Sequence, residues 1–80
     1  MISELALCKL LLEYLNDFIE DTKENGYQGP YSPKIETFLQ VLEYDTEFHD
    51  SLPDNFLYKD MPYALKEFIE GKVKFLEETN

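Results

Sequence analysis

This 80-residue sequence contains no arginine, no tryptophan, one cysteine and one histidine. Seven lysines are set against 17 acidic residues, which gives a formal net charge of −10. Direct binding of nucleic acid requires a basic surface, so the composition argues against it, and against an anionic membrane for the same reason. The charge fits a soluble protein, or one that meets a partner protein with a basic surface. The lack of arginine codons also fits a low-GC bacterium or its phage.

The shortage of thiol and imidazole groups limits the chemistry that the chain can carry out. Cys8 is the only cysteine and His49 the only histidine in the sequence. An intrachain disulfide therefore cannot form, and a zinc site with the usual four ligands is excluded. Cys8 lies among apolar residues, which is typical of a buried small side chain. His49, Asp50 and Ser51 are neighbours in the chain, and such neighbours rarely reach the geometry of a catalytic triad. We therefore expect no enzyme, no catalytic residues, no metal and no cofactor.

Long hydrophobic runs are also missing. No stretch reaches about 18 consecutive apolar residues, the length typical of a membrane helix, and the N-terminal residues lack the basic segment of a secretory signal. The composition is nevertheless 44% hydrophobic and 15% aromatic, which is too apolar for intrinsic disorder. We expect a single helical domain over residues 1–80, located in the cytoplasm.

Apolar residues recur at helical spacing in three segments of the chain. This pattern predicts an all-α fold: a small three-helix bundle with a short irregular or one-turn segment between helices 2 and 3. The predicted helices run from Ser3 to about Glu24, from Ser32 to about Asp50, and from Asp60 or Met61 towards the C-terminus.

Capping residues mark the predicted helix ends. Ser3 and Ser32 are favourable N-caps, and Pro33 fits the first helical position. Gly26 suits the left-handed conformation that ends many helices. Gly71 lowers the helix propensity of the third segment and leaves open whether that helix continues past it.

The first predicted helix has an unusually wide apolar surface. Stepping each residue by 100° gives an apolar arc of about 220°, whereas an ordinary surface helix has about 100° or slightly more. A helix of this kind must be covered on two sides, by its own chain or by another chain. We expect a homodimer, because self-complementary patches usually close in twofold pairs. The predicted interface is the stripe formed by Leu7, Leu11, Tyr14 and Phe18. The sequence leaves open whether this stripe or the adjacent one, formed by Leu5, Cys8, Leu12, Leu15 and Ile19, faces the partner chain.

The negative charge is concentrated in one part of the chain. Residues 13–60 hold 12 carboxylates and three lysines, whereas residues 61–80 have a net charge of only −1. The second predicted helix places four carboxylates on one face, about 10, 6 and 4.5 Å apart along its axis. The predicted partner-binding face comprises these four, Glu36, Glu43, Glu47 and Asp50, extended by Asp17, Glu20, Asp21 and Glu24 of the first helix.

A rigid row of carboxylates at this spacing is similar in scale to the phosphates of a DNA strand. The function that we expect is a non-enzymatic inhibitor or modulator. More concretely, it is an acidic DNA mimic of phage or mobile-element type that occupies the basic groove of a DNA-binding host protein. Two alternatives remain: a charged surface that only keeps the protein soluble, and a helical adaptor that binds through the apolar patch of the first helix.

Two short motifs resemble known binding sites. Asp50-Ser51-Leu52 resembles the tripeptide of acyl carrier proteins, small acidic helical proteins whose serine takes a phosphopantetheine arm. In that family the serine opens a long helix, whereas here Pro53 follows almost at once, so the carrier function ranks last. Residues 21–26 resemble the first half of a calcium loop. Lys23 stands where the second ligand is needed, so a helix C-cap is the favoured interpretation.

Overall fold

A computed structural model describes residues 3–26, 29 and 32–79 of the chain. The helices are α1 (Glu4–Asn25), α2 (Pro33–Leu42), α3 (Asp45–Asp50) and α4 (Met61–Thr79). One turn of 3₁₀-helix (Tyr58–Asp60) leads directly into α4. Helices and no strand among these residues confirm the predicted all-α bundle.

The helix ends follow the predicted caps. The hydroxyls of Ser3 and Ser32 each accept a hydrogen bond from the backbone N–H three residues later, at 3.1 and 3.4 Å. At the end of α1, Gly26 adopts a φ of 85° and donates its N–H to the carbonyl of Thr22. Any other residue would be strained at that angle. α4 continues through Gly71, which answers the question that the sequence leaves open.

The core is built around α1. Cys8, Leu11, Leu15 and Ile19 are buried along one face of this helix, at the spacing of three or four residues that a helix face requires. Helices α4 and α2 both pack against α1. The rest of the core consists of Ile35, Leu39, Tyr44, Phe48, Met61, Leu65 and Ile69.

Two contacts show how the wide apolar arc of α1 is covered. On one edge the ring of Tyr14 packs against Phe38 of α2, with centroids 5.4 Å apart. On the other edge Lys9 Nζ lies 3.6 Å from Glu77 Oε2 of α4. Lys9 is near the start of α1 and Glu77 near the end of α4, so the two helices run antiparallel. The chain itself therefore covers both sides of α1, which the sequence alone could assign either to this chain or to a second one.

The prediction of one continuous second helix is wrong, because the helix is interrupted at Glu43 and Tyr44, between α2 and α3. Glu43 takes left-handed backbone angles (φ 60°, ψ 37°). The N–H of Tyr44 donates to the carbonyl of Leu39 (3.1 Å), and that of Glu43 donates to Gln40 (3.2 Å). This is the hydrogen-bond pattern of a Schellman motif, which usually has glycine at the left-handed position. Tyr44 and Leu39 are both buried in the core, and the hydrogen bond between their backbones closes the end of α2.

Some apolar side chains on the helices do not face inward. Val41 on α2 is 63% exposed and Phe75 on α4 is 61% exposed. In the segment before α4, Phe56 packs on the core, whereas Leu57 and Tyr58 are exposed. The predicted end of the second segment at Asp50 is confirmed as the end of α3.

Glycine and alanine at position 43 should distinguish the broken helix from a continuous one. Both substitutions remove the same charge. Glycine suits a left-handed position, so we expect Glu43→Gly to exceed Glu43→Ala by about 1 kcal/mol in the free energy of unfolding. In a continuous helix alanine would be favoured by about 1 kcal/mol instead. Urea denaturation measures the difference. The control is the same pair of substitutions at Glu70, which is exposed within α4, where the alanine variant should be the more stable one.

Candidate functional site

All eight carboxylates of the predicted partner-binding face are exposed. They do not form one row, because α2 and α3 have separate axes on either side of Glu43. They fall into two groups. The first lies on α1 and includes one further exposed residue, Glu13. We call it the α1 acidic face: Glu13, Asp17, Glu20, Asp21 and Glu24.

The α1 acidic face is a rigid row. Stepped by 100° per residue, its members lie within a sector about 100° wide, on the side of α1 opposite the buried residues. They cover about 16 Å of helix axis in steps of about 6, 4.5, 1.5 and 4.5 Å, which is one charge about every 4 Å on average. Successive phosphates of one DNA strand are about 3.4 Å apart when measured along the axis of the double helix. Because α1 is one uninterrupted helix of 22 residues, this spacing is fixed.

Local contacts neutralise little of this charge. Lys23 is the one lysine between Glu13 and Pro33, and its Nζ lies 3.5 Å from Glu20 Oε1. Asn25 Nδ2 donates to Asp21 Oδ1 at 2.8 Å. Both contacts are at the surface, where an ion pair contributes about 0.2–1 kcal/mol and exchanges easily with a partner's charge.

The second group, Glu36, Glu43, Glu47 and Asp50, does not have the predicted geometry. Glu36 lies in the first turn of α2, Glu43 is at the break, and the other two lie on α3. Spacings calculated for a single axis therefore do not apply. Glu47 also forms an ion pair with Lys72 of α4, whose Nζ lies 5.0 Å from the ring centroid of Tyr44. The negative charge of Glu47 is therefore partly neutralised by an ion pair that joins α3 to α4.

The predicted dimer stripe is only partly accessible. Leu11 has no exposed surface, because the core surrounds it, so it cannot touch a second chain in this conformation. Leu7, Tyr14 and Phe18 are half-buried. Tyr14 packs against α2 and lies under Lys34, whose Nζ is 4.5 Å from the ring centroid.

An apolar patch remains next to this stripe. Leu10 is 37% exposed and lies one turn before Tyr14 on α1. Val41 lies one turn after Phe38, the residue of α2 that packs against Tyr14. Tyr44 follows Phe38 in the chain and contacts Cys8, which precedes Tyr14 on α1. The two helices are therefore antiparallel, and Leu10 and Val41 lie at similar heights along them. We call this surface the α1–α2 apolar patch: Leu7, Leu10, Tyr14, Phe38 and Val41.

A polar cluster lies at the edge of the core. Tyr44 donates its hydroxyl hydrogen to the carboxylate of Glu4, and Cys8 Sγ lies 3.6 Å from the same hydroxyl. Burial raises the pKa of the Cys8 thiol, and burial together with the hydrogen bond to Glu4 raises the pKa of Tyr44. A thiol with a raised pKa is a poor nucleophile at neutral pH, which agrees with a structural role. No signal in the sequence marks Tyr44 as a core residue, because the break that buries it has no glycine or proline.

The two short motifs occupy ordinary helix ends. Ser51 follows the last residue of α3 and donates its hydroxyl hydrogen to the carbonyl of Phe48 (2.6 Å), whereas the serine of acyl carrier proteins opens a helix. Residues 21–25 form the last turn of α1, followed by its cap. Within the described part of the chain, no group of three or more His, Cys, Asp or Glu side chains is arranged to hold a metal. No described helix is long and apolar enough to cross a membrane.

Comparisons of the chain with family models, with curated proteins and with solved structures gave no match.

The polar cluster should make stability depend on pH above about 9. In the unfolded chain Cys8 and Tyr44 have their ordinary pKa values of 9.0 and 10.0, and both values are raised on folding. The unfolded state therefore loses protons first, and the free energy of unfolding falls as pH rises. Each group contributes a slope of at most about 1.4 kcal/mol per pH unit.

Urea denaturation from about pH 8 to about pH 11 measures this slope. We expect Tyr44→Phe to fall less steeply than the wild type above about pH 10. Tyr63→Phe, at a residue that is 45% exposed, is the matched control and should follow the wild type. Equal slopes for Tyr44→Phe and the wild type would contradict the prediction.

The homodimer stays a prediction, now placed on the α1–α2 apolar patch. Light scattering at micromolar protein should give twice the 9.5 kDa of one chain. Leu10→Glu should dissociate the dimer without unfolding the chain, whereas Phe75→Glu on α4 should not. Added salt should strengthen the dimer, because it screens repulsion between two α1 acidic faces. A 9.5 kDa species at low and high salt would contradict it.

Proposed function

We propose that this protein is a non-enzymatic inhibitor or modulator that binds a basic surface on another protein. Most concretely, it is an acidic DNA mimic of phage or mobile-element type that occupies the DNA-binding groove of a host protein. The observation that carries the proposal is the α1 acidic face: five exposed carboxylates along one side of an uninterrupted helix, at a spacing close to that of phosphates.

The rigidity of α1 is what makes this charge useful for binding. The buried face of the helix is held by α2 and α4, so the backbone that carries the carboxylates does not have to be ordered when a partner arrives. The lysines and arginines of the partner would exchange DNA phosphates for carboxylates. The net charge of −10 would also steer a basic partner towards the protein and raise the association rate at low salt.

The second carboxylate group has a smaller part in this proposal. Glu36, Glu43 and Asp50 add to the negative field but share no axis, and Glu47 is paired with Lys72. We therefore assign the contacts that follow DNA-like spacing to α1, and a contribution to long-range attraction to α2 and α3.

The adaptor alternative is supported by a different observation, the exposure of Leu10 and Val41 on the α1–α2 apolar patch. Binding through this patch would bury apolar surface and would change little with salt. Binding through the α1 acidic face would weaken steeply as salt rises. A salt titration of partner binding separates the two functions.

Two quadruple variants with the same net charge should test the position of the binding face. The first replaces Asp17, Glu20, Asp21 and Glu24 by asparagine and glutamine. The second treats Glu36, Glu43, Glu47 and Asp50 in the same way. Exposed ion pairs contribute about 0.2–1 kcal/mol each, so losing four should weaken binding by about tenfold or more. We expect this loss for the α1 variant and a smaller loss for the other.

The wild type and both variants would be used as baits in a low-GC bacterial lysate, with mass spectrometry of the captured proteins. Fluorescence anisotropy with the purified partner then measures affinity and competition with DNA. Circular dichroism confirms that each variant keeps its helices. A partner that binds the wild type and the α1 variant equally at low salt, or binds DNA and this protein together, would show that the charge only keeps the protein soluble.

A further inference from the structure

The segment between α3 and α4 forms a groove away from the α1 acidic face. Two adjoining cavities of about 270 and 370 Å³ share Leu52, Pro53 and Phe56 as walls. The first cavity is completed by Phe48, Ala64 and Phe68, and the second by His49 and Met61, among others. We call the combined surface the α3–α4 groove.

The groove follows from the local sequence. Pro53 cannot continue α3, and the N–H of Phe56 donates to the carbonyl of Pro53 (3.1 Å) in a turn. This turn places the half-buried ring of Phe56 against the core. Ala64 on α4 is too small to fill the space opposite, so an apolar hollow remains open to solvent. Leu57, 55% exposed, lies beside it in the chain.

Charged residues surround this apolar floor. Asp54 and Glu67 line the cavities, and both are exposed. Asp50 and Asp60 lie at the two ends of the segment between α3 and α4. Among the side chains that line the two cavities, Asp54 and Glu67 are acidic and none is a lysine. Lys72 Nζ lies 5.3 Å from the ring centroid of Phe68, but this lysine is paired with Glu47. An apolar hollow with a negative rim is complementary to an apolar side chain flanked by positive charges.

We infer that the α3–α4 groove binds one large apolar side chain from a basic segment of the partner protein. The side chain would enter between Phe56 and Ala64, and the flanking lysines or arginines of the partner would face Asp54 and Glu67. A second copy of this chain fits less well, because it would bring carboxylates to a negative rim. The inference rests on the proposed function in one respect, the basic character of the partner.

The absence of tryptophan from this protein allows a direct test, because the fluorescence of a tryptophan probe then comes from the probe alone. The probe is the capped peptide Lys-Lys-Trp-Lys-Lys, and the matched control is Glu-Glu-Trp-Glu-Glu. Added protein should shift the emission of the basic peptide to shorter wavelength and leave that of the acidic peptide unchanged. In ¹⁵N-labelled wild-type protein, the basic peptide should shift the amide signals near Leu52, Phe56 and Ala64.

Variants locate the site. Ala64→Phe fills the hollow and should abolish the fluorescence shift, whereas Val41→Phe, which adds a ring on the α1–α2 apolar patch, should leave it unchanged. Asp54→Asn combined with Glu67→Gln should weaken the response several-fold. Circular dichroism checks that Ala64→Phe is folded, and the amide map of the wild type decides the question if it is not.

The inference and the proposed function can fail separately. The quadruple variant of α1 should still shift the emission of the basic peptide. If the peptide shift is normal but the protein does not compete with DNA for its partner, only the proposed function is overturned. Amide changes confined to α1, or a shift that is lost in the α1 variant and kept in folded Ala64→Phe, would overturn the groove. An equal shift with the acidic peptide would overturn the selection of basic segments.

Discussion

The structure depends on the burial of one helix between two others. α1 is apolar over about 220° of its circumference, more than a single neighbour can cover. α2 covers the edge at Tyr14, and α4 lies at the edge marked by Lys9. What remains outside is a polar sector bordered by the partly exposed Leu10, and this sector is where the α1 acidic face lies. Core formation and charge display are thus two consequences of one amphipathic pattern.

The sequence predicts the helix ends well where the backbone chemistry is local. Ser3, Ser32 and Gly26 act through hydrogen bonds or backbone angles within a few residues of themselves, and the structure confirms them. The break at Glu43 could not be predicted in this way. Glutamate has no preference for a left-handed angle, and the break is favoured by the burial of Tyr44, whose ring packs against Phe68 of α4 and whose hydroxyl donates to Glu4 of α1. A tertiary contact overrides the local preference there.

The candidate site shows the same division. Exposure of all eight predicted carboxylates follows from helical periodicity, and the structure confirms it. Their assembly into one row does not follow, because it requires a continuous second helix. The α3–α4 groove was not predictable either. It depends on the distance between a turn at Pro53 and a small residue, Ala64, on another helix.

The packing of α4 on α1 also has a consequence for the order of folding. α1 and α2 are close in sequence, so their contact closes a short loop. α4 meets α1 only after the intervening chain has closed a much longer loop, at a larger cost in conformational entropy. Until then the edge of α1 that α4 covers is open to solvent. A chain in which only α1 and α2 had paired would leave this apolar edge exposed, so the docking of α4 is what removes it from solvent.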